Sequence, residues 1–118
     1  MDSIHIQGLD LPVRIGVPDD ERAAWQVLSA DLTLRPRLKF EEMRDELDQT
    51  IDYQAVAQAV KALAAARPRR LIETLAAEIA ALVLEDFGAV AVSVTLRKRI
   101  LPGTDAVAVT LERSASGY

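Results

Sequence analysis

Val90-Ala-Val-Ser-Val-Thr-Leu-Arg-Lys98-Arg99 alternates residue by residue between two kinds of side chain, the pattern of a strand with one face in a core. Val90, Val92, Val94, Leu96 and Lys98 share the apolar face, while Ala91, Ser93, Thr95, Arg97 and Arg99 share the other. A lysine at the end of an apolar face is a candidate for chemistry, although a strand-end lysine also snorkels to water with no further role. The preceding segment, Leu71 to Phe87, reads as a helix closed by Gly88, a suitable C-terminal glycine. Glu78 and Glu85 mark one solvated stripe on it. At about 3.6 residues per turn Glu73 points well away from that stripe, in line with Ala77, Ala80 and Leu84. Glu73 is therefore expected toward the buried side, though a carboxylate in a first turn also suits the helix dipole.

Working toward the N-terminus, Asp52 is expected to cap a helix that carries Tyr53, Val56, Val60 and Leu63 on one stripe, with Tyr53 beginning the packed face. Pro68 breaks this helix near Ala66, and the next is expected from about Arg69. Residues 39–47 are charge-rich and read as either a short helical turn or an irregular connection. Leu28, Ala30, Leu32 and Leu34 alternate with polar neighbours in a strand ending at Pro36, and Gly16 to Asp20 reads as a loop. At the start of the chain Ile4 and Ile6 alternate with His5 and Gln7. The apolar phase then shifts by one to Leu9, Leu11, Val13 and Ile15, which predicts a bulge or bend at Gly8. Beyond the opening stretch, which reads as a strand from Ala89 to Arg99, Leu-Pro-Gly-Thr is a turn signal before a fourth strand over Asp105 to Glu112. The order ββααββ implies an α+β fold, an antiparallel sheet with both helices on one face. A lone short sheet leaves its edges open, and proteins cover or pair such edges, so oligomerisation is expected.

Composition narrows the function. The 118 residues, half of them hydrophobic, read as one domain over residues 1–118. Net charge is -4, and the only dense basic runs, Arg67-Pro-Arg-Arg70 and Arg97-Lys-Arg99, read as solvated turns or strand ends rather than a nucleic-acid footprint. There is no cysteine, hence no disulfide framework and no thiolate nucleophile or ligand. The start has no basic region followed by an apolar run, and no stretch approaches membrane-spanning length, so no membrane partner and a cytoplasmic location are expected. His5, the only histidine, lies on the polar face of strand one and reads as structural.

In order and spacing, Ile15-Gly-Val-Pro-Asp-Asp-Glu21-Arg, Asp52-Tyr53-Gln-Ala-Val, Leu71-Ile-Glu73-Thr-Leu-Ala-Ala-Glu and Val94-Thr-Leu-Arg-Lys98 resemble the dihydroneopterin aldolase family, from about Ile4 to Arg113. The resemblance implies a tunnelling fold, whose subunits join edge to edge into a barrel-like ring, a tetramer or a stacked octamer, with active sites between subunits. It implies a pterin substrate anchored by Glu73, whose carboxylate accepts N3–H and the 2-amino group together. Lys98 would act as general acid/base through a water, with Glu21 orienting both. Tyr53 would reach the substrate side chain from a neighbouring subunit and help deliver a proton, while Ile51, Asp52, Leu71 and Ile72 would contact the pterin. No metal or other cofactor is implied, because the pterin's own C6=N5 imine takes up the electrons. Zinc-holding relatives of the fold need His or Cys clusters that a single histidine cannot supply.

Two departures bear on substrate choice. The loop after Gly16 lacks the aromatic or histidine residue that many members place there, and Lys98 is followed by Arg-Ile-Leu-Pro-Gly-Thr-Asp, a longer basic-apolar turn than the family's short form. Two alternatives therefore stand beside the aldolase. One is an epimerase of dihydroneopterin triphosphate, with Arg97 and Arg99 meeting the phosphates. The other is a non-catalytic pterin- or purine-binding ring.

Overall fold

The structure, a computed structural model, describes residues 1–115, so the last three positions of the expected 1–118 domain lie outside the described residues. Strands β1 (Ile4–Val13), β2 (Gln26–Arg35), β3 (Ala91–Lys98) and β4 (Val107–Ser114) form one antiparallel sheet in the order β1-β2-β3-β4. Helices α2 (Tyr53–Ala66) and α3 (Ile72–Phe87) follow the short α1 (Asp19–Ala23); α2 packs against β1, and α3 against β3 and β4. The apolar sets of β1, β2 and β3, including Leu11, Leu28, Leu32, Val94 and Leu96, meet Val56 and Val60 of α2 and Leu75, Ile79 and Val83 of α3 in one buried cluster, against which Val109 and Leu111 of β4 pack partly buried. Alternation in sequence has become alternation in burial along β2 and β3. None of the helices among the described residues is long and apolar enough to cross a membrane.

The expected bulge is present at Gly8, where φ is 66° and the β1–β2 register shifts between Ile6 and Leu9. The Gly8 amide donates to Asp31 at 2.8 Å, and Arg97 of β3 donates to the same carboxylate at 2.6 Å. Three strands are thereby latched on the polar face. The Arg97 guanidinium, then the Gly8 amide, hold the Asp31 carboxyl below its ordinary value. Residues 39–47, left open by the sequence, contain a 3₁₀ turn at Phe40–Glu42, and a second follows at Leu47–Gln49.

Asp52 caps α2 by accepting from the Ala55 amide at 3.2 Å, and Gly88 ends α3 in the left-handed conformation. The onset of α3 differs from expectation: it begins at Ile72 rather than near Arg69. The backbone around Arg69 is committed elsewhere, in a parallel bridge to Ile15 with Arg69 N–H donating to Arg14 and Gly16 N–H donating to Arg69, both at 3.1 Å. The expectation of a solvated basic turn also fails at Arg69, which is 4% exposed. Its guanidinium pairs with Glu78 of α3 and donates to the carbonyls of Leu63, Ala64 and Arg67, satisfying the open C-terminal end of α2. Each of β1 and β4 has a strand neighbour on one side only, leaving two sheet edges among the described residues.

Candidate active site

Lys98 is the last residue of β3 and stays on the apolar face, its side chain 13% exposed. It forms an ion pair with Glu21, which comes from α1, a helical turn inside the segment between β1 and β2 that otherwise runs as a loop. Several bonds hold this segment in place. Gln26 donates to the carbonyls of Ile15 and Glu21, and Arg22 donates to those of Gly16 and Val17 at 2.9 Å each. Polar side chains thus do what a longer helix would do for the backbone, and they hold the stretch from which the Glu21 side chain extends.

Gly16 makes room for that carboxylate. Its φ is 153°, and a Cβ there would lie 2.5 Å from Cδ and 2.7 Å from Oε1 of Glu21. The obstructing group is the end of a flexible side chain, so an added methyl displaces Glu21 more readily than it unfolds the loop. Gly16→Ala is expected to leave the protein folded, with a modestly lower melting temperature, while an activity that uses the Glu21–Lys98 pair falls by about 10- to 100-fold because Glu21 leaves Lys98. Circular dichroism and initial rates on the same preparation check this; parallel losses in both would point to a folding defect instead.

The Glu21–Lys98 pair forms one wall of a cleft of about 350 Å³. The Val17–Pro18 turn forms another side, and Leu71, Ile72 and Glu73 at the start of α3 face it. Arg70, Ile100, Val107 and Val109 also line it, and none of them was singled out from the sequence. Their signal was weak, since Arg70 and Ile100, near Glu73 and Lys98 in the chain, and Val107 and Val109 of β4 become cleft residues only once α3 and β4 are packed side by side. A second space of about 730 Å³ shares Glu21 and Lys98 and adds Ser29, Arg97 and Arg99 from the polar face.

Glu73 is exposed rather than buried. The buried face of α3 is Ile72, Leu75, Ala76, Ile79, Ala80 and Val83, and Glu73 sits at its border with Thr74 and Ala77, both exposed. The stripe used to orient the helix misled, because Glu78 is drawn partly inside by Arg67 and Arg69. Among the described residues the Glu73 carboxylate has no ion-pair partner, so it is available at the cleft. Tyr53 is likewise corrected. It is 62% exposed and does not begin the packed face, which starts at Val56. Ile51 is buried, and Asp52 is occupied as the cap of α2. The structure therefore brings Lys98, Glu21, Glu73, Leu71 and Ile72 to one cleft and leaves Ile51, Asp52 and Tyr53 outside its lining. Among the described residues no group of three or more His, Cys, Asp or Glu is arranged to hold a metal ion, and His5 bonds Ser3 and Thr33.

Residues 4–112 match the family model described as FolB: Dihydroneopterin aldolase. The chain belongs to the dihydroneopterin aldolase family. The dihydroneopterin aldolase of Streptomyces coelicolor is 34% identical over 117 residues, spanning 97% of this chain and 98% of that one. The crystal structure of the Escherichia coli dihydroneopterin aldolase in complex with neopterin superposes with a TM-score of 0.89 at 27% identity, covering 97% and 100% of the two chains. A dihydroneopterin aldolase from Burkholderia bound to guanine superposes with a TM-score of 0.75 at 25% identity, covering 96% and 90%. The chain has the tunnelling fold of these dihydroneopterin aldolases, and the family is one of carbon–carbon lyases.

Proposed function

We propose that this protein cleaves 7,8-dihydroneopterin by a retro-aldol reaction into 6-hydroxymethyl-7,8-dihydropterin and glycolaldehyde, as a step of folate biosynthesis. The observation that carries the reading is the meeting, in one cleft of a chain of this family, of the exposed Glu73 carboxylate with the Glu21–Lys98 pair. Neopterin and guanine, the molecules bound by the two solved relatives, present the same edge, a ring N–H beside an exocyclic amino group. One carboxylate accepts both donors, which fixes orientation as well as affinity. Glu73 takes this role, with Leu71 and Ile72 beside it against the ring.

With the ring so held, the reaction needs a base for the 2'-hydroxyl proton and an acid for N5. As the C1'–C2' bond breaks, C2' becomes the aldehyde carbon, and its bonding pair moves through C1'=C6 onto N5, which is protonated. Return of a proton to C1' and loss of the N5 proton give the hydroxymethyl product. Lys98 moves these protons through a water, and Glu21 orients the ammonium. The pterin imine is the electron sink, so no Schiff base, metal or other cofactor enters. Tyr53, with backbone contacts from Ile51 and Asp52, serves the site of a neighbouring subunit, a reading supported by its exposure at the start of α2 and by the two sheet edges, β1 and β4, available for ring closure into a tetramer or octamer. A triphosphate epimerase is less favoured, because Arg97 is already engaged by Asp31.

The test is incubation of the purified protein with 7,8-dihydroneopterin and chromatographic separation of the pterins. Hydroxymethyldihydropterin with an equal amount of glycolaldehyde is the expected result. Recovery of unchanged substrate, or of its 2'-epimer alone, would overturn the assignment.

A further inference from the structure

The geometry points to Arg69 as a positioning residue for this reaction, one that sets the spacing between the two halves of the cleft without touching the substrate. The inference rests on the retro-aldol reading above and deepens it. Glu21 and Lys98 belong to the sheet side of the cleft, and Glu73 belongs to the start of α3. Besides the packing of α3 on β3 and β4, backbone hydrogen bonds join the two sides at the bridge between Ile15 and Arg69. One residue beyond Ile15 is Gly16, against which the Glu21 carboxylate packs. A short way beyond Arg69 is Glu73, at the second position of α3. The bridge therefore ties the arm carrying Glu21 to the arm carrying Glu73.

The Arg69 side chain anchors that bridge from behind. It is buried, and its donors are spread over three elements: the Leu63 and Ala64 carbonyls of α2 at 3.0 and 3.1 Å, the Arg67 carbonyl of the linker at 2.9 Å, and Glu78 of α3. A planar fork with several fixed donors locks an orientation in a way a single ammonium does not. Without it, the α2–α3 corner keeps its backbone bridge but loses its side-chain anchor, and the start of α3 is free to shift against the sheet. The ring would still bind Glu73, but its C6 side chain would sit away from Lys98. A misplacement of roughly an ångström is enough to cost about 10²-fold in rate.

The experiment compares wild type with Arg69→Met, which keeps an unbranched apolar stem while removing every side-chain donor, at a temperature where circular dichroism shows both to be folded. Turnover of 7,8-dihydroneopterin is expected to fall by about 10- to 100-fold. The dissociation constant for guanine, which needs Glu73 and not Lys98, is expected to stay within about threefold. Arg69→Lys, which keeps the charge opposite Glu78 but not the fork to the carbonyls, is expected to recover part of the lost kcat. Unchanged kcat in folded Arg69→Met overturns the proposal, and so does loss of guanine affinity in step with kcat. If Arg69→Met does not fold, Arg69→Lys and Glu78→Gln carry the comparison, with a reduced kcat at retained guanine affinity expected and an unchanged kcat overturning it. A wild type that binds guanine yet forms no glycolaldehyde overturns the retro-aldol reading itself, a result separate from the behaviour of any Arg69 variant.

Discussion

Lys98→Ala is expected to lower turnover of 7,8-dihydroneopterin by about 10²- to 10⁴-fold, the range typical of losing a positioned general acid/base. Binding should survive. In the proposed pose Glu73 and the start of α3 hold the pterin ring, while Lys98 lies across the cleft near the bond that breaks. A kcat effect with neopterin affinity within a few-fold of wild type is the signature of a group used in the reaction and not in holding the ring. Truncation also frees the Glu21 carboxylate, whose side chain is 22% exposed and able to turn toward water, so the fold should tolerate the change. Rates and fluorescence titration with neopterin on the same variant decide the matter. If turnover persists above a tenth of the wild-type value, the proton path runs through another group, and if binding is lost with it, Lys98 is part of the anchor.

Glu73→Ala should have the opposite profile, a collapse of affinity. Two charge-assisted hydrogen bonds, each worth about 1.5–3 kcal/mol, are lost together. Their removal should weaken neopterin or guanine binding by at least about 10²-fold. The structural cost should be small, because Glu73 is exposed and its contribution to the fold is the favourable interaction of a carboxylate with a helix N-terminus, about 0.3–1 kcal/mol. Calorimetric titration with guanine alongside a thermal melt separates the two effects. Near-normal affinity in a folded Glu73→Ala variant would remove the carboxylate from the recognition of the ring and undo the pose on which every other role is built.

The strands were legible because a period of two leaves few choices: the placement of Lys98 with Val94 and Leu96, and of Arg97 with Thr95, follows from alternation alone, and the phase shift at Gly8 announced its bulge. Caps were equally readable at Asp52 and Gly88, where local chemistry decides the outcome. The helix faces were not. Which side of α3 is solvated was judged from Glu78, but a charged residue can be drawn inward when a buried partner waits for it, and Arg69 is that partner. Arg69 itself looked like part of an ordinary basic turn, since nothing local tells a solvated arginine from one that satisfies the carbonyls of a helix end. The pairing of Glu21 with Lys98 was expected from family resemblance and not from periodicity, because contacts between distant segments leave no trace in local pattern. Tyr53 was misjudged for a related reason: a helix's first turn can project past the sheet it packs on, and an apolar stripe extrapolated to the cap overshoots the core.

The sheet order has a consequence for how the chain reaches this state. Strands β1 and β2 form one local hairpin and β3 and β4 another, but β2 meets β3 only after the whole helical segment between Arg35 and Ala91 has been looped out. Closing so long a loop must be achieved before the contacts it brings together can reward it, which makes that seam the slow part of assembly. Glu21 belongs to the first hairpin and Lys98 to the second. A chain with both hairpins and both helices formed, but the seam still open, would have nearly native secondary structure and no Glu21–Lys98 pair, so the proposed acid/base centre is assembled only at the last stage of folding.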